Sequence, residues 1–429
     1  MIDTVLVEGK RAGFATVEAF GEKVERREYE RFTDYRASHG VTLDQVTIRA
    51  FRDSGDPLGI MLPRPDAASI RRAFHDLGAV NIPDKKPNHA EHLPPSVRRS
   101  RVVIYDAEIE RDGDARFDSL VERIAEIPVL YPGLTLEKIA FGQSLRKIYL
   151  ANSRGLRTKY RKTIFDLKLT LSLQGNVIEI NETSTHFNGL NPSRLTTRAY
   201  NLLNSLTDET TVDPGISFFL FSPEAATVLL REFSGHFKAG ETHPAGRIQF
   251  PAALTLVDRP LLDFQPGSAP CDDEGVQTGD TLLVDKGVWV GSISDLRTAS
   301  RFGISSSGNG FRREPDIFPE VEFSNLCIKP SVMALKKVMD EAGRGILVSL
   351  IKPKLVEKGK SLFSAYGYHF SGNELRQPVH LYFSTDFLSF FMGVGRVTRE
   401  MRFFHGHINV GSPYLLVAVH RERDGSFLI

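Results

Sequence analysis

Residues 147–180 read KIYLANSRGLRTKYRKTIFDLKLTLSLQGNVIEI. Three runs rich in aromatic, β-branched and leucine residues are separated by Ser153-Arg154-Gly155 and Gln174-Gly175-Asn176, both of which contain glycine. Alternating runs broken by such triplets predict successive strands joined by tight turns. The cations Arg157, Lys159, Arg161 and Lys168 then mark the solvated face of that sheet.

Working outward, SRLTTRAYNLLNSL (193–206) has helical spacing and leads into the acidic TDETTVDPG, which places a domain boundary near residue 210. From Ile216 onward strands dominate. Upstream, YDAEIERDGDARFDSLVERIAEI (105–127) is acidic and apolar at helical spacing. Residues 81–101, NIPDKKPNHAEHLPPSVRRSR, concentrate proline, histidine and charge without a period and read as an extended loop. Its RRSR could grip phosphate, but a solvated loop explains it more simply. Still earlier, VTIRAFR (46–52) alternates as a strand does, and a helical pattern runs from Asp66 to Leu77.

A chain of 429 residues that is 41% hydrophobic holds enough apolar material for about two or three cores. Its 54 basic and 53 acidic residues leave a net charge of +1, too small for general attraction to nucleic acid or to an anionic membrane. Neither partner is expected. The opening MIDTVLVEGKRAGFATVEAFGEK is interrupted by Glu8, Lys10, Arg11 and Glu18, so it lacks the apolar core of a secretory signal. No apolar run approaches the roughly 20 residues of a membrane-spanning helix. Cys271 and Cys327, the only cysteines, exclude a disulfide framework and read as two buried thiols. A cytoplasmic protein is expected.

Residues 229–237, LLREFSGHF, hold the first chemical signal. Ser222 is a natural N-cap, Pro223 suits the first helical position, Glu224 complements the helix dipole and Gly235 is a stop. A histidine at position 231 would make the stretch His-Glu-x-x-x-His, which resembles a zinc peptidase motif. Positions i and i+5 are about 140° apart on a helix, so such a motif clasps one metal only where the helix breaks. Ser234-Gly235 offers that break. Arg231, however, has no lone pair to give zinc and repels a cation. Glu232 and His236, at i and i+4, are equally readable as a hydrogen-bonded pair.

Residues 269–325, APCDDEGVQTGDTLLVDKGVWVGSISDLRTASRFGISSSGNGFRREPDIFPEVEFSN, supply ordered motifs: Asp272-Asp273-Glu274-Gly275, Asp285-Lys286-Gly287, Thr298-Ala299, Gly308-Asn309-Gly310, Arg312-Arg313 and Ser324-Asn325. This order resembles the TldD/PmbA (TldD/TldE) family of metallopeptidase-related proteins. YLANSRGL upstream, and SLFSAYGYHFSGNELRQPV and VGSPYLLV downstream, extend the resemblance from about Arg146 to the end. The resemblance implies an α+β fold in two domains. An α/β N-terminal domain is expected over residues 1–210, and a β-rich C-terminal domain carrying the degenerate helix over 211–429. The acidic turn 272–274 offers too few oxygens for calcium and is read as the family's turn before a strand.

In the family's catalytic TldD members, a His-Glu-x-x-x-His helix and a cysteine near the C-terminus hold zinc; TldE (PmbA) members lack the motif and pair with TldD. This chain carries Arg231 in place of the first histidine and has no cysteine in MRFFHGHINVGSPYLLV (401–417). The resemblance therefore implies a non-catalytic, TldE-like subunit of a peptidase acting on unfolded peptides or leader segments. Zinc would reside in a TldD-like partner, with pairing to a related chain or to a second copy. Gly308, Asn309, Gly310 and Arg231 are the candidate substrate contacts. A self-sufficient peptidase with relocated ligands is the alternative, using His236, His405 and His407 as ligands and Glu232 as general base. A third reading is a peptide-binding protein without catalysis.

Overall fold

The computed structural model describes the whole chain except residues 33–34, 54, 82–88, 99, 126–129, 214, 241–245, 247, 313–315, 358 and 423–424. Among the described residues, six strands form the first sheet: β1 (Thr16–Phe32), β2 (Arg36–Phe51), β3 (Leu58–Pro63), β4 (Thr135–Asn152), β5 (Arg157–Leu173) and β6 (Asn176–Ser184). They lie in the order β3-β2-β1-β4-β5-β6, every neighbour antiparallel. The β5–β6 turn is Gln174-Gly175, both at positive φ, the mirror-image geometry that a two-residue hairpin requires.

Helices α1 (Ile2–Arg11), α2 (Ala67–Ala79), α3 (Gly113–Ala125) and α4 (Pro192–Ser205) serve this sheet. Asp66 caps α2 by accepting from the Ser69 amide, and Asn191 caps α4 through the Arg194 amide. Odd-numbered residues of β1 face these helices: Val17 and Ala19 pack with α1 and α2, and Tyr29 packs with α3. Its even-numbered Glu18, Phe20 and Glu22 point to the other side. The same period corrects the reading of β5. Lys168 is seven residues from Arg161, so it lies on the face opposite Arg157, Lys159 and Arg161, and the four cations do not share one side.

In the C-terminal half, an eight-stranded sheet runs in the order β17 (Val394–Val397), β20 (Leu415–Ala418), β7 (Phe218–Phe221), β14 (Arg344–Glu357), β15 (Lys360–Ser371), β16 (Glu374–Thr385), β22 (Phe427–Leu428), β21 (His420–Arg421). A second sheet has the order β10 (Val288–Trp289), β9 (Thr281–Asp285), β8 (Leu256–Asp258), β13 (Asn325–Ile328), β19 (Asn409–Ser412), β18 (Arg402–His405). β11 (Gly310–Phe311) and β12 (Glu320–Val321) pair separately. α5 (Pro223–Phe233) packs on both larger sheets, α6 (Leu296–Phe302) follows the Asp295 cap, and α7 (Leu335–Ala342) and α8 (Phe387–Gly393) cover strand ends. Leu229 and Leu230 of α5 are buried in one core with Phe221, Leu326 and Val348. Each such side chain stabilises the fold by about 1.5–3 kcal/mol. The architecture is α+β and rich in sheet. Among the described residues no helix is long and apolar enough to cross a membrane.

The two halves meet through buried charge. Glu18 and Arg49 stand directly opposite on β1 and β2 and form a two-pronged pair at 2.9 and 2.6 Å. The free end of Arg49 reaches Glu274 at 3.0 Å, and Arg312 of the C-terminal half reaches Glu18 at 2.7 Å. Arg49 is 2% exposed and Glu274 is fully buried, so water cannot replace either partner. Beside them, Lys162 donates to the Ser268 carbonyl at 2.9 Å. Burial, reinforced by Arg146 and opposed by Asp273, lowers its amine to about 7.

The loop reading of 81–101 needs amendment where it is described. His89 is buried edge-on against Phe51, and Pro94 accepts a hydrogen bond from Asn152, so part of this segment is packed on the sheet. Residues 82–88 and Arg99 of RRSR lie outside the described residues.

Arg49→Met should lower stability by about 3–5 kcal/mol in chemical denaturation, because it strips Glu274 of its cation. Arg26→Met, in an exposed pair with Glu28, should cost less than about 1 kcal/mol. Lys162 sets a pH dependence of known sign. The folded state binds fewer protons than the unfolded one between about pH 7 and the ordinary lysine range, so stability should rise with pH across that window. Denaturation midpoints at pH 7 and 9 should differ in this direction for wild type and converge in Lys162→Met.

Candidate functional site

α5 begins as the sequence predicts. Ser222 accepts from the Ala225 amide at 3.2 Å, and Pro223 occupies the first turn. The helix ends at Phe233 and tightens into a 3-10 turn over Ser234–Phe237. Phe233 and Phe237 fix this end in an aromatic cluster with Phe387, Phe390, Phe391 and Trp289.

The three residues of the motif face different neighbours. Arg231 donates to the carbonyl of Phe404 on β18 and, at 3.4 Å, to Thr227 Oγ1. Burial lowers its pKa from the ordinary arginine value, with Glu224 opposing. Glu232, about 100° further round the helix, is exposed and accepts the Ser361 hydroxyl at 2.8 Å. The exposed His236 ring stacks on Phe387 with centroids 4.2 Å apart. It makes no pair with Glu232, and its pKa is lowered by burial.

His405, at the end of β18, lines the same cleft as Arg231, whereas His407 lies exposed in the turn before β19. Burial, with Lys162 and Arg231 adding repulsion, lowers His405 to about 4, so its ring is neutral at pH 7. The structure does not gather His236, His405, His407 and Glu232 into a ligand set. Among the described residues no three His, Cys, Asp or Glu side chains are grouped to hold a metal. The Arg231 guanidinium has no lone pair to give a metal, and Glu232 and His236 are engaged elsewhere. The residues present do not fit a zinc ion. Cys271 and Cys327 are free and buried, with both thiols pushed up by burial, the latter to about 12.

Gly308, Asn309 and Gly310 sit away from this cleft, and their amides are already engaged. They donate to Ser306 Oγ, the Ser294 carbonyl and Asp272 Oδ2 respectively. Asn309 is buried and donates to Asp258 Oδ2 at 2.7 Å. Gly308 has φ +75°, and a Cβ on Gly310 would lie 2.5 Å from Glu274 Oε2, so both positions require glycine. Arg312 donates through its amide to Asp273 at 2.7 Å, while Arg313 lies outside the described residues.

The cleft holding Arg231 and His405 has a volume of about 590 Å³ and lies between α4 and β6 on one side and α5 and β18 on the other. Arg194, Arg198, Glu182, Glu224 and Arg402 line it, and the sequence singles out none of them as a site residue. Glu224 lies in the first turn of α5, as the dipole reading expects, and also pairs with Arg198 at 3.1 Å. The available signal was the i, i+4 spacing of Arg194 and Arg198 in SRLTTRAY, which puts both on one helix face.

Residues 219–421 match the PmbA/TldA metallopeptidase C-terminal domain. A metalloprotease of Methanothermobacter thermautotrophicus is 27% identical over 37% of this chain and 37% of its own length. A Haemophilus influenzae protein described as a metalloprotease TldD homolog is 26% identical over 35% and 34% of the two chains. The chain thus spans well under half the length of these relatives. A crystal structure of TldE from Thermococcus kodakarensis superposes with a TM-score of 0.83 over 97% of this chain and 98% of that one, at 17% identity. The domain match defines the class, a metallopeptidase-related protein with a TldE/PmbA-like two-domain fold. Over residues 219–421 the chain is thus similar to the PmbA/TldA metallopeptidases, and its fold as a whole is that of TldE.

Arg231→Ala should destabilise by about 1–3 kcal/mol, since it leaves the Phe404 carbonyl without its charged donor. Glu232→Gln keeps an acceptor for Ser361 and should shift the unfolding midpoint only slightly. Equal losses from the two changes would show that Arg231 is not what ties α5 to β18.

Proposed function

We propose that this chain is the non-catalytic, TldE-like subunit of a TldD/TldE-type peptidase that processes unfolded peptides or leader segments. The observation that carries the reading is Arg231. A permanent cation anchored to the β18 backbone stands where the family's catalytic members place a zinc ligand, and it disfavours a divalent ion by charge as well as by lacking a lone pair. Zinc and the catalytic glutamate then belong to a TldD-like partner. This chain supplies chamber wall, peptide contacts and the interface. Two free, buried cysteines suit a reducing cytoplasm.

Coexpression with a TldD-like protein carrying an intact His-Glu-x-x-x-His should yield a heterodimer whose peptidase activity neither chain shows alone. The isolated chain should keep its thermal midpoint in EDTA, because no metal-binding energy is linked to its folding. Peptide hydrolysis by this chain alone, abolished by Glu232→Gln, would overturn the proposal in favour of a self-sufficient peptidase.

A further inference from the structure

The cleft beside Arg231 carries more positive charge than it neutralises. Four arginines (Arg194, Arg198, Arg231 and Arg402) line it against two glutamates, Glu182 and Glu224. Arg194 is held by Glu182 and Arg198 by Glu224, which leaves Arg231 and Arg402 without a carboxylate of their own. Arg402 is exposed on β18 and makes no ion pair among the described residues. Two residues that line this cleft each keep a buried nitrogen without a hydrogen-bond partner, Arg231 Nε and His405 Nδ1. Buried polar nitrogens are rarely left without a partner, and these two belong to residues of one cleft.

A second cavity of about 850 Å³ adjoins the cleft, the two sharing Arg194, Arg198, Glu224, Arg402 and Phe404. Leu335, Met339, Leu347, Leu375 and Tyr414 give that second space an apolar wall, with Asn201, Asn204, Lys336 and Asn373 also around it. The channel so formed is apolar along one wall and adjoins the cationic residues. Cavities of about 300–1,000 Å³ accommodate ligands that bury most of their surface. A free phosphate would use the cationic end and leave the apolar walls wet. A peptide ending in a carboxylate uses both, with apolar side chains along the channel and two oxygens among planar guanidinium donors.

We propose that this composite cleft is a binding site for the C-terminal carboxylate of an extended apolar peptide, with Arg231 and Arg402 as the charge partners and His405 as a neutral donor. That the peptide is a substrate rests on the subunit reading above; the carboxylate site itself does not. Arg198 stays paired with Glu224 and keeps that glutamate from repelling the ligand. Arg231 is already fixed by Phe404 and Thr227, so little side-chain freedom is lost when it engages an oxyanion.

The test is fluorescence anisotropy on the isolated chain, using fluorescein-Ala-Ala-Leu-Phe-Leu with a free C-terminal carboxylate and the same peptide as its C-terminal amide. The acid should bind at least tenfold more tightly than the amide. Arg402→Gln removes no contact that holds the fold. It should weaken the acid at least fivefold and leave the amide unchanged, with an unaltered thermal melt confirming that the variant is folded. Displacement of the acid by millimolar inorganic phosphate would support the cationic end as the anchoring point. Equal binding of acid and amide, binding of neither, or phosphate binding with no peptide binding would each overturn the proposal. Acid-over-amide discrimination that persists when no active heterodimer forms would sink the subunit reading and leave the carboxylate site standing.

Discussion

Glu18, Arg49, Glu274 and Arg312 form the contact on which the arrangement of the two halves depends. Two of the four come from adjacent strands of the first sheet and two from loops and short strands some 225 or more residues later. Each is expensive to bury alone and tolerable only when the others are in place. The interface is therefore unforgiving in register: a slip of one residue in β1 would turn Glu18 to the helix side and leave Arg49 and Arg312 short of an anion. The same constraint explains the neighbouring glycine. Gly310 lies where any side chain would strike Glu274, so the acidic turn and the Gly-Asn-Gly segment are two parts of one joint.

With the halves locked, α4 of the first half lies against β14, β15 and β16 of the second and β6 against β18, and the cleft lined by α4, β6, α5 and β18 becomes a defined space. The role of Arg231 becomes legible there. On an isolated helix Arg231 is only a lost ligand. In the folded chain it ties α5 to β18 and holds a positive charge next to Arg402 and His405. A cationic pocket thus sits on this scaffold, and a fold by itself does not fix the chemistry of its sites.

Local signals in the sequence were readable where the physics is local. The Ser222 cap, the Pro223 start, the break at Ser234-Gly235, the Asp66-capped helix and the strands on either side of Gln174-Gly175 all follow from residues within a few positions of one another. Readings that needed a partner from elsewhere fared differently. Lys168 does not share a face with Arg157, because strand alternation sets them on opposite sides, and Glu224, placed in the first turn as the dipole favours, gains a partner in Arg198 of α4 that no local pattern shows. Glu232 and His236 have the spacing of a pair, yet Ser361 and Phe387, more than a hundred residues away, draw them apart.

The sequence by itself determined the mixed strand and helix content, the positions of the caps and turns, and the presence at position 231 of an arginine, which has no lone pair for a metal. These depend on propensity, periodicity and residue identity, which act over one turn of helix or one hairpin. Only the tertiary structure decided that Asn309 and its glycines are spent inside the fold, that Glu274 answers Arg49, and that Arg198, Arg231, Arg402 and His405 enclose one cleft. Those outcomes require segments far apart in the chain to meet. Charge and unsatisfied hydrogen-bonding groups acquire an energetic cost only once burial has removed water from around them.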